Sequence, residues 1–262
     1  FIGRIHQVDF FRERDRYNLK ATKEIIFSKV PLNAIQVLDD IDYCHRRPYT
    51  EYYGALREII TSKSNVLELG CGTGFHSSIL VELSANVTLL DISEVSLEVC
   101  KIKFGSSIDY ICADMSATGL PENLFDVIVA NGALSYADHN QLVSEINRIL
   151  KPHGSVIFLD SLNHNLFFIS NRLMHFFLRR RSISTLLRVP RTSLILKISK
   201  NFENFQLTSY GTYIWLFPIL KVISGEQRAV DFLQRLDRKK KFSKYGFKFL
   251  LICRNLSKQQ NI

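Results

Sequence analysis

Asn65-Val66-Leu67-Glu68-Leu69-Gly70-Cys71-Gly72-Thr73-Gly74-Phe75 is the stretch on which the reading of this 262-residue chain turns. Val66 to Leu69 is an apolar run with the length of a buried strand. Three glycines follow at every second position, and a helix-like run from Ser77 to Ser84 comes directly after. Glycine accepts positive φ and lets a ligand approach the main chain closely. Strand, glycine turn and helix in that order make a nucleotide-type ligand site. Glu68 at the strand end narrows the ligand: a carboxylate repels phosphates but accepts hydroxyls and an ammonium.

Outward from this stretch, strands and helices alternate. Asn86–Asp91, Ile108–Cys112, Phe125–Ala130 and Ser155–Asp160 read as strands two to five. Glu94–Phe104 and Gln141–Leu150 read as helices, the second stopped by Pro152-His153-Gly154. Phe205–Tyr210 and Phe247–Cys253 read as two late strands, with a helix over Arg228–Arg238 between them. This rhythm predicts an α/β fold of parallel βαβ units, covered on both faces. Before it, residues 1–63 read as an N-terminal helical extension: Phe10 to Lys29, Leu32 to Leu38, and a helix after Arg47-Pro48-Tyr49 that runs to Ile60, weakly capped by Thr50. Tyr49, Tyr52 and Tyr53 are expected to pack on the sheet, with a pocket wall as the alternative. There are no internal repeats or low-complexity linkers.

Composition sets further bounds. With 46% hydrophobic and 23% charged residues the chain can bury a sizeable core. Five cysteines stand singly at 44, 71, 100, 112 and 253, without CxxC spacing, which argues against a zinc ribbon or a disulfide framework and for a reducing, cytoplasmic setting. No metal site is expected. No apolar run reaches about 18 residues, so no spanning helix is expected. The chain begins at Phe1 rather than Met, which is compatible with a longer precursor. Charge is uneven: Lys+Arg against Asp+Glu is 11 to 9 over residues 1–63, 4 to 12 over 64–160 and 19 to 4 over 161–262. The basic last part fits an anionic substrate or membrane surface, nucleic acid, or a solvated face.

In an open parallel sheet the ligand lies outside the carboxyl ends of the strands. Asp91 ends strand two, placed to accept hydrogen bonds from ribose hydroxyls, and Asp114-Met115 follows strand three, placed to read adenine. Asn131-Gly132-Ala133-Leu134 follows strand four, where the reactive end of a ligand belongs. NAD is the poorer fit, because its fingerprint is G-x-G-x-x-G whereas this chain has G-x-G-x-G after Glu68.

Residues 64–160 resemble class I S-adenosylmethionine-dependent methyltransferases. Glu68-Leu69-Gly70-Cys71-Gly72-Thr73-Gly74 matches their first motif and Asp91-Ile92-Ser93 the acidic second. Asp114, Leu120-Pro121 and Phe125-Asp126-Val127-Ile128 match the third and fourth. Arg148-Ile149-Leu150-Lys151-Pro152-His153-Gly154 looks like R-x-L-K-P-G-G, with His153 in place of a glycine, a departure expected to be harmless in a turn away from the cofactor. The resemblance implies a Rossmann-like seven-stranded, mostly parallel sheet with a helical lid inserted after strand five. It divides the chain into the extension (1–63), an S-adenosylmethionine-binding core (64–160) and a basic lid with the last two strands (161–262). It implies S-adenosyl-L-methionine as cofactor, held by Glu68, Gly70, Cys71, Gly72 and Gly74 around the methionyl part, Asp91 and Ile92 at the ribose and adenine, Asp114 and Met115 at adenine, and Asn131, Gly132 and Ala133 facing the sulfonium.

A general base is needed if the acceptor is a hydroxyl. Tyr136, Asp138 and His139 follow strand four, Asp160 ends strand five and His164 opens the lid; Tyr136, His139 and His164 are the catalytic candidates. Asp138 and His139 also read as an N-cap of the following helix, and that reading is preferred. The N-P-P-Y signature of nitrogen methylation is absent, since the position reads Asn131-Gly132-Ala133-Leu134. The segment Leu166–Leu178 followed by Arg179-Arg180-Arg181 reads as a lid in preference to a membrane-surface helix. Its loose likeness to small-molecule enzymes suggests O-methylation of a sugar, a lipid-linked or anionic intermediate, or a secondary metabolite. A silent methyltransferase-like scaffold and an RNA methyltransferase using the basic region are the alternatives.

Overall fold

The computed structural model describes residues 14–19, 21–22, 34–39, 41–84, 86–177, 183–239 and 242–257. Seven strands form one sheet: β1 (Asn65–Leu69), β2 (Asn86–Asp91), β3 (Asp109–Cys112), β4 (Phe125–Asn131), β5 (Leu150–Ser161), β6 (Phe202–Tyr210) and β7 (Lys248–Leu256), in the order β3-β2-β1-β4-β5-β7-β6. Neighbours from β3 to β5 are parallel. β7 runs antiparallel between β5 and β6. The order reverses at β1, so the gap between the β1 and β4 loops is the ligand crevice of such a sheet.

Alternation sends β-branched and leucine side chains to both faces, and both are buried. One face gathers Val66, Val87, Leu89, Val127, Ile157, Leu159 and Leu250 under Tyr52, Tyr53 and Leu56 of helix α2 (Tyr43–Ile59). A shorter helix, α1 (Ala34–Asp39), precedes it. The other face gathers Leu67, Leu69, Ile128, Ala130, Phe158 and Leu251. Tyr52 and Tyr53 thus pack on the sheet as expected. Helix α2 starts before Pro48 and carries it inside, giving up one main-chain hydrogen bond. Thr50 is no cap: its hydroxyl donates to the Arg46 carbonyl inside the helix.

The helices after the glycine stretch are α3 (Ser78–Leu83), α4 (Glu94–Phe104) and α5 (His139–Ile149). Ser93 caps α4 by accepting the Ser96 N–H at 3.1 Å. Asp138 caps α5 by accepting the N–H groups of Asn140 (2.9 Å) and Gln141 (3.1 Å). β5 starts at Leu150, earlier than the alternation suggests, with a register shift between Phe125 and Val127. His153 in that turn has φ +61, a left-handed conformation that a glycine would adopt without strain.

After β5 come α6 (Leu166–Phe177), α7 (Ile183–Leu187), α8 (Thr192–Ser199), α9 (Phe217–Ser224) and α10 (Glu226–Arg238). Helix α9 was absent from the sequence reading, although Pro218 in its first turn and Gly225 after its end are start and stop signals. The N-terminal helix expected over Phe10–Lys29 is helical at 14–19 and 21–22, and the rest of it lies outside the described residues, as do Leu178 to Arg181 and Lys240-Lys241. Among the described residues no helix is long and apolar enough to cross a membrane.

Candidate active site

Each glycine of the loop has a different job. Gly70 (φ +68) passes so close to the β4 loop that a Cβ there would lie 2.6 Å from Ala133 Cβ and 3.2 Å from Met115 Cε. A Cβ on Gly74 (φ +72) would lie 2.6 Å from the Phe104 ring. These two glycines are needed for packing. A Cβ on Gly72 (φ +54) or on Gly132 (φ +68) of the β4 loop would meet nothing within 4 Å. Main chain at both turns therefore borders open space.

Two buried carboxylates hold this loop. Asp91 Oδ2 accepts the Gly72 N–H (2.8 Å) and Oδ1 accepts the Ser93 N–H (2.9 Å), tying the β1 and β2 loops together. A carboxylate has about four acceptor sites, so acceptor capacity remains for a ligand. Glu68, 3% exposed, lies beneath the loop and takes a 2.5 Å hydrogen bond from Ser77 Oγ. Burial is the main reason its carboxyl is pushed up to about 7; Ser77 opposes the rise and Asp91 adds to it. Burial also raises Asp91, against the N–H groups of Ser93, Gly72 and Ile92. The Asp91 carboxylate beside the loop favours hydroxyls and a cationic ligand and disfavours a phosphate, and Glu68 adds its charge only as pH rises past about 7. The Cys71 and Cys100 thiols both donate to the Gly72 carbonyl, at 3.5 and 3.3 Å.

The adenine-side candidates stand at neighbouring strand ends. Asp114 Oδ1 accepts the Ser116 N–H (2.7 Å), and Met115 is buried against Gly70. Ile92 is half-buried beside Asp91. Asn131 carries an orphaned buried amide, Nδ2, with no partner among the described residues.

The three catalytic candidates point to different surroundings. Tyr136 sits in the turn after β4, where its hydroxyl accepts from Arg16 Nη2 (3.1 Å) and its ring meets Tyr17 edge-on at 5.4 Å. His139 is the first residue of α5, its ring held by the Leu134 and Arg188 main chain, and its Nε2 is buried with no partner among the described residues. His164 Nε2 accepts the Thr192 N–H (3.2 Å) at the start of α8. Burial is the largest reason that both histidines are shifted down, so each stays a neutral imidazole around pH 7. Asp160 is a loop anchor: its carboxylate accepts the Leu134 and Ser161 N–H groups at 2.8 and 2.6 Å.

Sequence reading missed several groups at this end of the sheet. Arg16 on Tyr136 and Asn18, which accepts from Ser93 Oγ (2.5 Å), bring residues 14–19 across the strand ends. His76 Nδ1 bonds the Tyr53 hydroxyl at 2.8 Å and stacks on Tyr49 at 5.0 Å. Burial first, then Lys248 and Lys103, depress His76 to about 3. Lys248 opens β7 and is 8% exposed. These residues lie far apart in sequence; only the position of His76, two residues beyond Gly74, was a local signal. Among the described residues no group of three potential metal ligands occurs.

Comparison with known proteins gives one domain match: residues 67–158 match the family described as "Methyltransferase domain". The malonyl-[acyl-carrier protein] O-methyltransferase of Buchnera aphidicola subsp. Baizongia pistaciae is 36% identical over 95 residues, 36% of this chain and 38% of that protein. The ubiquinone biosynthesis O-methyltransferase of Pseudomonas aeruginosa is 34% identical over 106 residues, 38% of this chain and 45% of that protein. The chain thus spans less than half the length of these curated relatives. Two solved structures share the fold. A chain of the Haloferax volcanii Trm112 methyltransferase-activator complex has a TM-score of 0.61 at 15% identity, covering 95% of this chain and 99% of that one. Haemonchus contortus phosphoethanolamine N-methyltransferase 2, in complex with phosphomonomethylethanolamine and S-adenosylhomocysteine, has a TM-score of 0.55 at 16% identity, covering 80% and 53%.

Proposed function

We propose that this chain, whose residues 67–158 are a class I S-adenosylmethionine-dependent methyltransferase domain, transfers a methyl group to an oxygen of a small molecule. The observation that carries this reading is the open main chain at Gly72 and Gly132 on the two loops that flank the switch in strand order, with Asp91 hydrogen-bonded to the Gly72 N–H and Glu68 buried beneath the loop. S-adenosyl-L-methionine fits these groups: its ammonium and sulfonium suit an acidic surround, and its ribose hydroxyls suit the remaining acceptor capacity of Asp91. When bound, it supplies an activated methyl group. Gly70, Gly72, Gly74, Cys71 and Glu68 would shape the methionyl side, Asp91 and Ile92 the ribose, and Asp114 and Met115 the adenine. Asn131, Gly132 and Ala133 would border the reacting end, where the orphaned Asn131 amide offers a donor.

For the chain itself the chemistry is orientation and proton removal. Holding the acceptor oxygen in line is worth several orders of magnitude in rate. Tyr136, His139 and His164 are the groups from which a base would come, and the neutral state of both histidines is the state that takes a proton. The O-methyltransferase names of both curated relatives favour oxygen over nitrogen as the acceptor atom. A hydroxyl of a sugar, lipid-linked or secondary-metabolite intermediate is the acceptor class proposed.

The test has two steps. Calorimetry with S-adenosylhomocysteine should give micromolar binding, and its absence would leave only a silent scaffold. Mass spectrometry after incubation with labelled cofactor and fractionated metabolites should place the label in small molecules. Label found only in RNA or protein would overturn the acceptor class.

A second contact has its own support. Leu166, Phe167, Met174 and Phe177 of α6 and Ile219, Val222 and Ile223 of α9 are exposed, and Phe167 stacks at 4.5 Å on Trp215, in the 3-10 turn (Ile214–Leu216) that precedes α9. With 19 basic against 4 acidic residues over 161–262, this face fits an anionic lipid surface. Flotation with phosphatidylglycerol vesicles but not with phosphatidylcholine vesicles is expected; equal flotation, or none, removes this reading.

A further inference from the structure

The sheet has two edges, and they are finished differently. At one end β3 is four residues long and begins with Asp109. At the other end β6 runs for nine residues, Phe202–Tyr210, about 30 Å of strand. Among the described residues only β7 pairs with it. An open edge offers a row of main-chain donors and acceptors to any other strand, and proteins blunt it with shortness, lysine or proline. Shortness protects β3. None of the three protects β6: Phe202-Glu203-Asn204-Phe205-Gln206-Leu207-Thr208-Ser209-Tyr210 has no Lys, Arg or Pro, although residues 161–262 hold 19 basic residues. Its one charge, Glu203, accepts a hydrogen bond from Asn255 Nδ2 of β7 at 3.2 Å. Glu203 to Gln206 are exposed, Phe205 at 50% among them.

The β6 sequence complements itself when turned about its middle. A two-fold axis at Gln206 sets two copies antiparallel and pairs Gln206 with its own counterpart. Phe205 then meets Leu207, Asn204 meets Thr208, Glu203 meets Ser209 and Phe202 meets Tyr210. Phe205 and Leu207 lie on one face of the sheet, opposite Cys253 and Leu251 of β7, so the phenylalanine and leucine of both copies gather in one apolar cluster. No like charges are opposed, which matters for a chain of net charge +9. Pairing along the whole strand supplies about eight inter-strand hydrogen bonds. We propose that β6 is a homodimer interface, paired antiparallel with the β6 strand of a second copy about a two-fold axis at Gln206. The contact is isologous and uses up the edge, so assembly stops at the dimer. The glycine loop follows β1, in the middle of the sheet, so each copy keeps its own candidate site. The inference is independent of the methyltransferase reading.

Sedimentation velocity on the full chain is expected to show a dimer at micromolar concentration. Phe205→Lys gives the edge the usual lysine protection at a half-exposed side chain. It is expected to sediment as a monomer, with the circular dichroism spectrum of wild type. Cross-linking reads the register, in a background that carries Cys44→Ser and Cys112→Ser. There Gln206→Cys is expected to give a covalent dimer with an added oxidant, because residues on the axis face each other with Cβ atoms about 5 Å apart. Glu203→Cys is expected to give none, because its two copies lie roughly 20 Å apart along the paired strands. A wild type that stays monomeric overturns the proposal, and that measurement needs no variant to fold. A dimer that Phe205→Lys leaves intact overturns it too, as does one that Glu203→Cys cross-links and Gln206→Cys does not.

Discussion

Strands β1 to β4 and the pair β6–β7 belong to one sheet, yet they are built under different constraints. In the first region main chain passes close to the Ala133, Met115 and Phe104 side chains at Gly70 and Gly74 and borders open space at Gly72, so glycine recurs, and two carboxylates are buried beneath it. In the second, β7 runs against its neighbours and its loops touch basic, aromatic and apolar side chains. A turn that depends on backbone geometry tolerates few residue types, whereas a wall of side chains tolerates many. That difference explains why the glycine loop can be read from motifs and the surroundings of β6 and β7 cannot.

The sharpest way to break the comparison is to treat one glycine from each region alike. Gly70→Val adds a side chain where even a Cβ lies 2.6 Å from Ala133, at φ +68. It should cost about 4 kcal/mol of stability and abolish S-adenosylhomocysteine binding, as read by urea denaturation and calorimetry. Gly225→Ala, at φ +82 with nothing within 4 Å, should cost only about 1 kcal/mol from backbone strain and leave binding intact. Equal losses in the two variants would erase the distinction between packed and permissive turns.

Glu68 offers the next largest effect. Its carboxyl is raised to about 7 in the folded chain, so the fold favours the protonated form. The contribution is fully present below the unfolded carboxylate range, shrinks as pH rises through about 7, and is worth about 3 kcal/mol in all. Glu68→Gln should match wild type near pH 4 and be the more stable protein near pH 8, by up to about 3 kcal/mol. A pH-independent difference between the two would show that Glu68 is not held protonated.

Two smaller effects test the turns around α5. Asp138→Ala should cost about 1 kcal/mol by removing the cap on Asn140 and Gln141, with methyl transfer preserved per folded molecule. A loss of turnover without a loss of stability would return Asp138 to the list of bases. His153→Gly should leave stability unchanged or raise it by less than about 1 kcal/mol, because relief of the left-handed strain is offset by glycine's chain entropy. Thermal denaturation at fixed pH reads both.

Most of the parallel half was legible because each element announces itself locally. The apolar runs of β1 and β4, the Ser93 and Asp138 caps and the glycine loop all act over a few residues. The errors lie where local signals conflict with packing. Pro48 looked like a helix start, but burial of Tyr52, Tyr53 and Leu56 on the sheet carries α2 past it. Helix α9 leaves apolar side chains exposed, so it lacks the one-sided burial pattern that marks a helix in sequence, and only its proline and glycine signal it locally.

By itself the sequence determined the α/β alternation and the methyltransferase motifs, because strand propensity, glycine conformation and helix capping are short-range. Tertiary structure decided what no spacing reveals. It set Glu68 beneath the loop on Ser77, turned both Asp91 oxygens onto main-chain N–H groups, and brought Tyr49, His76 and Lys248 together from three separate segments. Those contacts join residues up to 199 positions apart, from Tyr49 to Lys248, and only the closing of the sheet makes them neighbours.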